Sequence, residues 1–373
     1  MAKRIDLVIV GPSAAIINGS LLRAYNVWRT VKRLSSVRVK YLPITYPIEV
    51  LLNLRSIIEG DIIIISGVSP WISSLILLIG KLFGKCILID VHGSPYYEYV
   101  MSNRVELFRK MLLYLNEYIS YKLSRNIIVA SRGLVNILYT YFKVKPNNKK
   151  NIFILPNSVS YLFMDIMKLL KNTDRRRLWD FFIKSKLKVI NDEVIVLIAP
   201  LPEVFIGNLM AYEELMRMVG DLRNTNIKIV ITGIGRGIRY INSSIINAGY
   251  LPYIEYALLL LNSRAMILPY PDNAVCGGVR NKVLEAGYCS VPLISTKNGV
   301  LHLDAKEWVH YIPLEEIKLS DFLVNMDTRR VKAISENMRD LVFERYLPSM
   351  FSYNLLNILR MVLRMYRNRD RKL

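Results

Sequence analysis

Cysteine and histidine are scarce in this 373-residue chain, with three of each. Cys86, Cys276 and Cys289 form no CxxC pair, and His92, His302 and His310 are scattered. That scarcity argues against a disulfide framework and structural zinc, and fits a reducing compartment, the cytoplasm. Long apolar runs are missing too. The nearest candidate, Trp71–Gly80, stops at Lys81, short of the ~18–20 residues a spanning helix needs. Lys3 and Arg4 before an apolar stretch imitate a secretory leader, but Asp6 interrupts the stretch and Gly11-Pro12 ends it. A first buried strand is the expectation there. With 18 Gly and 15 Pro against 52% hydrophobic residues, the composition is neither collagen-like nor disordered. At roughly 100–200 residues per domain, the length predicts two domains.

Acidic side chains are outnumbered, 30 against 51 Lys and Arg, for a net charge of +21. Residues 1–155 carry 21 basic and 8 acidic side chains, or +13, leaving +8 for the remainder. Such a surface draws polyanions: nucleic acid, phosphorylated substrates or an anionic membrane. A general basic bias accounts for the same figure. Nucleic-acid binding would need a recognisable module with basic and aromatic residues interleaved. The 23 tyrosines are instead spread through both halves, so nucleic acid is set aside as a partner.

What the chain does have is alternation. Ile5–Val10, Val37–Leu42, Asp61–Ile65, Cys86–Val91, Asn126–Val129 and Ile152–Leu155 are short runs rich in branched apolar residues and closed by turn or cap residues. Between them, Leu21/Tyr25/Trp28/Val31, Ile48–Ile58, Ser69–Leu82 and Arg104–Leu123 have helical spacing. The pattern restarts with a helix at Arg175–Leu187. Strands follow at Val194–Ile198, Ile227–Thr232, Ile245–Gly249, Ala265–Pro269 and Val291–Ser295. Helices are expected at Leu209–Val219, Ile254–Leu261, Val279–Gly287, Arg329–Arg345 and Phe351–Tyr366. Strand–helix alternation at this spacing predicts an α/β chain of two Rossmann-like, doubly wound domains facing a cleft. The expected boundaries are 1–158 and 159–345, with a C-terminal helix and basic tail, 346–373, packing back on the first domain.

Residues 269–299 read PYPDNAVCGGVRNKVLEAGYCSVPLISTKNG. Gly277 and Gly278 at a helix start would leave N–H groups open to an anion. Arg280 and Lys282 follow, and helical spacing places only one of them, Lys282, inward. Glu285 has no basic residue at i+4, where Cys289 sits, so sugar hydroxyls are its expected partners; a solvated Glu is the alternative. His92, after a buried strand and before Gly93, is read as a site residue or as a structural one. Gly11, Asn18 and Gly19 near the first strand-to-helix turn bring backbone close to a phosphate or acceptor, although a plain turn explains Gly11 equally. His302 and His310 read as structural.

The run Gly278-x-Arg280-x-Lys282-x-x-Glu285-Ala286, with Pro292 beyond it, resembles the donor segment of GT-B glycosyltransferases, especially the retaining family 4. Asp90-Val91-His92-Gly93, Leu155-Pro156-Asn157-Ser158-Val159, Ile231-Thr232-Gly233-Ile234-Gly235 and Gly249-Tyr250-Leu251-Pro252-Tyr253 are similar to further landmarks of that family, in the same order. The resemblance implies transfer of a sugar from a nucleotide-diphosphate donor to a glycan or lipid-linked hydroxyl, with retention and with no metal or other cofactor. It implies catalytic roles for His92 and Glu285. Gly277, Gly278, Arg280, Lys282, Glu285, Gly233, Arg236 and Tyr250 would bind the donor, and Gly11, Asn18, Gly19 and Gly93 would serve the acceptor or a phosphate.

Two departures stand out. The family's first glutamate is replaced by Gly277, and residues 199–207 lack the usual Arg and Lys. Arg236, Arg280 or Lys282 would then have to serve the diphosphate. The alternatives are a catalytically degenerate GT-B-like subunit or a nucleotide-sugar epimerase. Finally, Arg23, Arg29, Lys32 and Arg33, and separately Arg104, Arg109, Lys110, Lys122 and Arg125, interleave with Trp28, Phe108, Tyr114 and Tyr118. That predicts peripheral binding of the first domain to the inner face of an anionic membrane. Aromatics buried in the core are the alternative.

Overall fold

The computed structural model describes residues 5–13, 18–35, 37–104, 106–147, 150–174, 178–180, 187, 195–203, 205–218, 226–235, 237–325 and 327–370. It separates into two compact units, Met1–Tyr161 with Leu347–Leu373, and Leu162–Tyr346.

In chain order the first unit comprises β1 (Ile5–Gly11), α1 (Gly19–Val31), β2 (Val37–Pro43), α2 (Pro47–Leu52), α3 (Leu54–Glu59), β3 (Ile62–Ser66), α4 (Pro70–Leu82) and β4 (Cys86–Val91). Then come α5 (Pro95–Ser102), α6 (Leu107–Leu123), β5 (Asn126–Val129), α7 (Arg132–Thr140) and β6 (Asn151–Ile154). All pairings are parallel, in the order β2-β1-β3-β4-β5-β6. All five residues of β3, Ile-Ile-Ile-Ile-Ser, are buried, as a strand covered on both faces requires. Caps set the helix starts. Asn18 accepts from Leu21 N at 3.0 Å before α1, and Pro70 opens α4, where its missing N–H costs nothing.

One expected helix is divided and another starts late. Ile48–Ile58 breaks at Asn53, whose side chain donates to Glu49 O at 2.8 Å. The segment Arg104–Leu123 becomes helical only at Leu107. The separate α5 before it ends at Asn103, which takes the left-handed conformation with φ +54°.

The linking helix α8 (Tyr161–Lys171) leads to the second unit. The expected helix Arg175–Leu187 lies largely outside the described residues, with 178, 179 and 187 helical. The second unit comprises β7 (Ile195–Pro200), α9 (Ile206–Met218), β8 (Ile227–Thr232), β9 (Arg239–Tyr240), β10 (Ile245–Asn247), α10 (Tyr253–Asn262) and β11 (Ala265–Leu268). It continues with α11 (Asn281–Tyr288), β12 (Leu293–Ser295), β13 (Ile312–Pro313), α12 (Leu319–Val324) and α13 (Thr328–Arg345). Its sheet runs β13-β12-β11-β7-β8-β10-β9, parallel except for the edge pair β10–β9.

The last helix, α14 (Pro348–Asp370), returns to the first unit. Phe351, Leu355 and Leu359 join Leu7, Ile9 and Val27 in the core on one face of the first sheet. Met361 is exposed, while Leu363 and Met365 lie against that core. Strand order reverses beside β1 in the first sheet and beside β7 in the second. In open α/β sheets, ligands bind beyond the strand carboxyl ends at such points.

Candidate functional site

At the carboxyl end of β4 in the first unit, His92 Nε2 lies 2.9 Å from Ser20 Oγ in the first turn of α1. Its Nδ1 is buried without a hydrogen-bond partner. Burial, aided by the nearby Arg23 charge, pushes the imidazole pKa down to about 4, so His92 is neutral at neutral pH. Gly93 follows, and a Cβ there would stand 2.9 Å from Glu98 Oε1. Gly11 closes β1 where a Cβ would clash with the Tyr41 ring, which is a packing reason for that glycine. Asn18 spends its side chain on the α1 cap, and Gly19 is the first residue of that helix. Residues 14–17 lie outside the described residues.

Beneath His92 is a buried ion pair that sequence reasoning missed. Arg23, expected on the basic membrane-binding surface, is buried and clasps Asp90 at 2.7–3.0 Å. It also donates to Asn157 Oδ1 at 2.7 Å and Leu155 O at 3.0 Å, and Ser66 Oγ donates to Asp90 at 2.6 Å. A charged residue inside the otherwise apolar strand Cys-Ile-Leu-Ile-Asp-Val was the available signal, since a buried carboxylate demands a partner. Glu117 does a related job from α6. It accepts from Ser94 Oγ and Tyr96 N, both at 2.6 Å, and from Tyr121 OH at 2.8 Å. It thereby fixes the start of α5 directly after Gly93, and burial pushes its carboxyl pKa up to about 7.

In the second unit the cations gather at the reversal point. Lys282 Nζ donates to Pro200 O at the end of β7, to Asn208 Oδ1 at 3.2 Å on α9 and to Tyr270 OH at 2.9 Å. Tyr270 is fully buried. Its ring also receives Arg280, whose guanidinium lies 3.8 Å from the centroid. Arg280 donates to Asn298 O at 2.6 Å and Ala274 O at 2.8 Å, tying the loop before α11 to the turn at Lys297–Val300. Desolvation, with Arg280 alongside, pushes the Lys282 pKa down to about 7.

The expectation that only one of this pair faces inward does not hold. Arg280 is the N-cap of α11, with extended backbone, so helical spacing does not apply to it. Lys282 Nζ lies within hydrogen-bond reach of three protein oxygens, which holds α9 and β7 against α11. Gly277 and Gly278 are buried in the loop four and three residues before Asn281, not in the helix's first turn. Tyr270, Asn208 and Asn298 were missed because nothing local in sequence separates them from ordinary loop polar residues.

Glu285 is buried and does have partners: Tyr253 OH donates to Oε1, and Tyr256 OH donates to Oε2 at 2.8 Å. The two tyrosine rings are stacked, with centroids 5.7 Å apart. Burial raises the carboxyl pKa, opposed by both hydroxyls and by Lys282. Gly233, at the end of β8, has φ +92°, and a Cβ would meet Pro202 Cα at 2.6 Å, so glycine is required there. Tyr250 is partly exposed beyond β10. Arg236 lies outside the described residues. His302 and His310 bond locally, to Cys276 O and Lys306 N. Among the described residues, no group of three His, Cys, Asp or Glu side chains is placed to hold a metal ion.

The expected basic–aromatic face on the first unit is divided. Trp28 packs against the core with α1, and Tyr114 is enclosed by Tyr96 and Phe142. Phe108 and Tyr118, on α6, are exposed.

No protein-family model matches the chain, and no curated protein matches its sequence. Solved structures do match in shape. HepE of Anabaena, in complex with UDP-glucose, superposes with a TM-score of 0.66 at 10% identity, over 96% of this chain and 100% of that one. Sucrose-phosphate synthase from Thermosynechococcus elongatus gives 0.65 at 12%, over 97% and 100%. A glycosyltransferase from Rickettsia africae gives 0.63 at 15%, over 96% and 99%. At such identities the likeness establishes the fold: two Rossmann-like, parallel-sheet units of the GT-B glycosyltransferase architecture.

Proposed function

We propose that the protein is a family 4-like glycosyltransferase that moves a sugar from a nucleotide-diphosphate donor to a hydroxyl of a glycan or lipid-linked acceptor. The observation that carries this reading is the Arg280–Lys282–Tyr270 cluster at the reversal point of the second sheet. It puts positive charge beside the start of α9, a helix with no acidic residue in its first turn, where the helix dipole favours an anion. The UDP-glucose complex of the similarly folded HepE supports the donor class.

The acceptor hydroxyl attacks the anomeric carbon on the face that the diphosphate leaves, so configuration is retained. The carbon–oxygen bond to phosphate breaks with its electron pair passing to the diphosphate, whose departing oxygen takes up the acceptor's hydroxyl proton. Lys282, Arg280 and backbone N–H groups stabilise the departing oxygens. That arrangement calls for no metal or other cofactor. Neutral His92 offers Nδ1 to a sugar oxygen. Glu285 takes ribose or sugar hydroxyls in exchange for the Tyr253 hydroxyl. Gly233 and Tyr250 accommodate the base, and Gly11, Asn18, Gly19 and Gly93 border the acceptor or a phosphate. We place the reaction in the cytoplasm, at the surface of an anionic membrane that supplies a lipid-linked acceptor.

The lack of a basic residue at 199–207 favours a second reading, a GT-B-like subunit without turnover. Incubating the protein with a panel of nucleotide sugars separates the two. Release of nucleoside diphosphate, with an NMR-assigned product anomer matching the donor, supports the transferase. Binding without release supports the subunit, and inversion of the anomer contradicts retention.

A further inference from the structure

Helices α2, α4 and α6 lie side by side on one face of the first sheet. Their outer side chains are not those of a solvated layer. Leu107 and Leu82 are each 83% exposed and Phe108 65%, with Trp71, Met111 and Leu52 also open. On α6, Leu107, Met111 and Leu115 repeat at i, i+4, i+8, so they form one stripe along the helix. Exposed large apolar side chains concentrated on one layer of helices mark an interaction site. No helix among the described residues is long and apolar enough to cross a membrane.

Cations outnumber carboxylates around the stripe. Lys81, Lys85, Arg109, Lys110, Lys122 and Arg125 lie on or just beyond α4 and α6. Over the same segments the carboxylates are the exposed Glu106 and the buried Glu117, and α2 adds Glu49. Lys81, Lys85 and Arg125 line a cavity of about 240 Å³ at the ends of α4 and α6, bounded on its other side by Val362, Met365 and Tyr366 of α14. Exposed apolar side chains with a cationic border complement the interface of an anionic bilayer, apolar groups entering the leaflet and cations meeting headgroup phosphates. A protein partner's surface would need acidic groups around a matching apolar patch.

We propose that the outer face of α2, α4 and α6 docks the protein on an anionic phospholipid bilayer. Leu82, Phe108 and Trp71 enter the leaflet, and Lys81, Lys85 and Arg125 hold the headgroups. The proposal rests on the membrane reading given above and names its surface.

Co-sedimentation of the full chain with phosphatidylglycerol-containing vesicles and with pure phosphatidylcholine vesicles tests it. The double variants Leu82→Ser/Phe108→Ser and Lys81→Gln/Arg125→Gln run in parallel, with thermal melting and nucleoside diphosphate binding as checks of the fold. The expected result is pelleting with the anionic vesicles only, and loss of apparent affinity on the order of tenfold or more in each variant, with melting and nucleotide binding retained. Wild-type protein left in the supernatant overturns the proposal and the membrane reading together, as does a dimer that shields this face from vesicles. Wild type and both variants pelleting equally overturns the proposal alone, because docking then uses another surface.

Discussion

At the residue scale, Arg23 and Asp90 exemplify a pair whose removal is worse than its absence. Each is buried, and each satisfies the other. Replacing Arg23 by Met leaves the Asp90 carboxylate without its main partner, which costs about 3–5 kcal/mol for a buried pair. Urea unfolding of Arg23→Met should show a loss of that size, and a loss under 1 kcal/mol would mean that water or another cation reaches Asp90. Lys282 adds a pH signature. Its pKa is lowered from 10.5 to about 7 in the folded chain, so between those values the unfolded chain binds more protons. This group's contribution to stability therefore rises with pH through that window. A bound diphosphate favours the charged amine, so affinity for UDP-glucose, whose diphosphate does not titrate near neutrality, should fall as pH rises above about 7. The Lys282→Met variant should bind more weakly with that pH dependence removed, and titration calorimetry across pH reads both effects. Lys282 and Glu285 were legible as candidates from the spacing of one segment. Their actual partners, Pro200, Asn208, Tyr270, Tyr253 and Tyr256, come from other elements, and pattern within a segment carries no information about them.

At the element scale, the strands were legible because buried parallel strands are written as short Ile- and Val-rich runs. Cys86–Val91, Asn126–Val129 and Ile227–Thr232 have the boundaries that their sequences imply. Helix interruptions were harder. The break at Asn53 depends on one side chain turning back to its own backbone, and α5 is announced only by Ser94-Pro95, a cap followed by a helix-starting proline. The last helix makes a sharper test. Leu355, although near the end of the chain, is fully buried in the first unit's core, whereas Met361 on the same helix is exposed. Leu355→Ala should destabilise by about 2–5 kcal/mol, and Met361→Ala should stay within about 0.5 kcal/mol of wild type. Similar losses for both in denaturant titrations would mean that α14 does not pack in this way.

At the scale of the whole molecule, the alternation of runs and the order of motifs were enough to anticipate two Rossmann-like units, and the solved structures that share the architecture agree. The excess charge was legible as a number but not as a surface. Arg23 went inward to Asp90 and Trp28 to the core, while the exposed apolar stripe of α6 came from residues that sequence periodicity alone cannot assign to solvent or core. Fold and charge together support a reaction on an anionic donor, and the cluster around Lys282 is where that claim is most exposed. The most direct test is calorimetric titration of nucleoside diphosphates into the wild type and Lys282→Met at neutral pH. The account predicts saturable binding by the wild type. It also predicts a loss on the order of 1.5–3 kcal/mol in the variant, the range for removing a charged hydrogen-bonding group. Equal affinity in the two proteins, or no binding by the folded wild type, would contradict it.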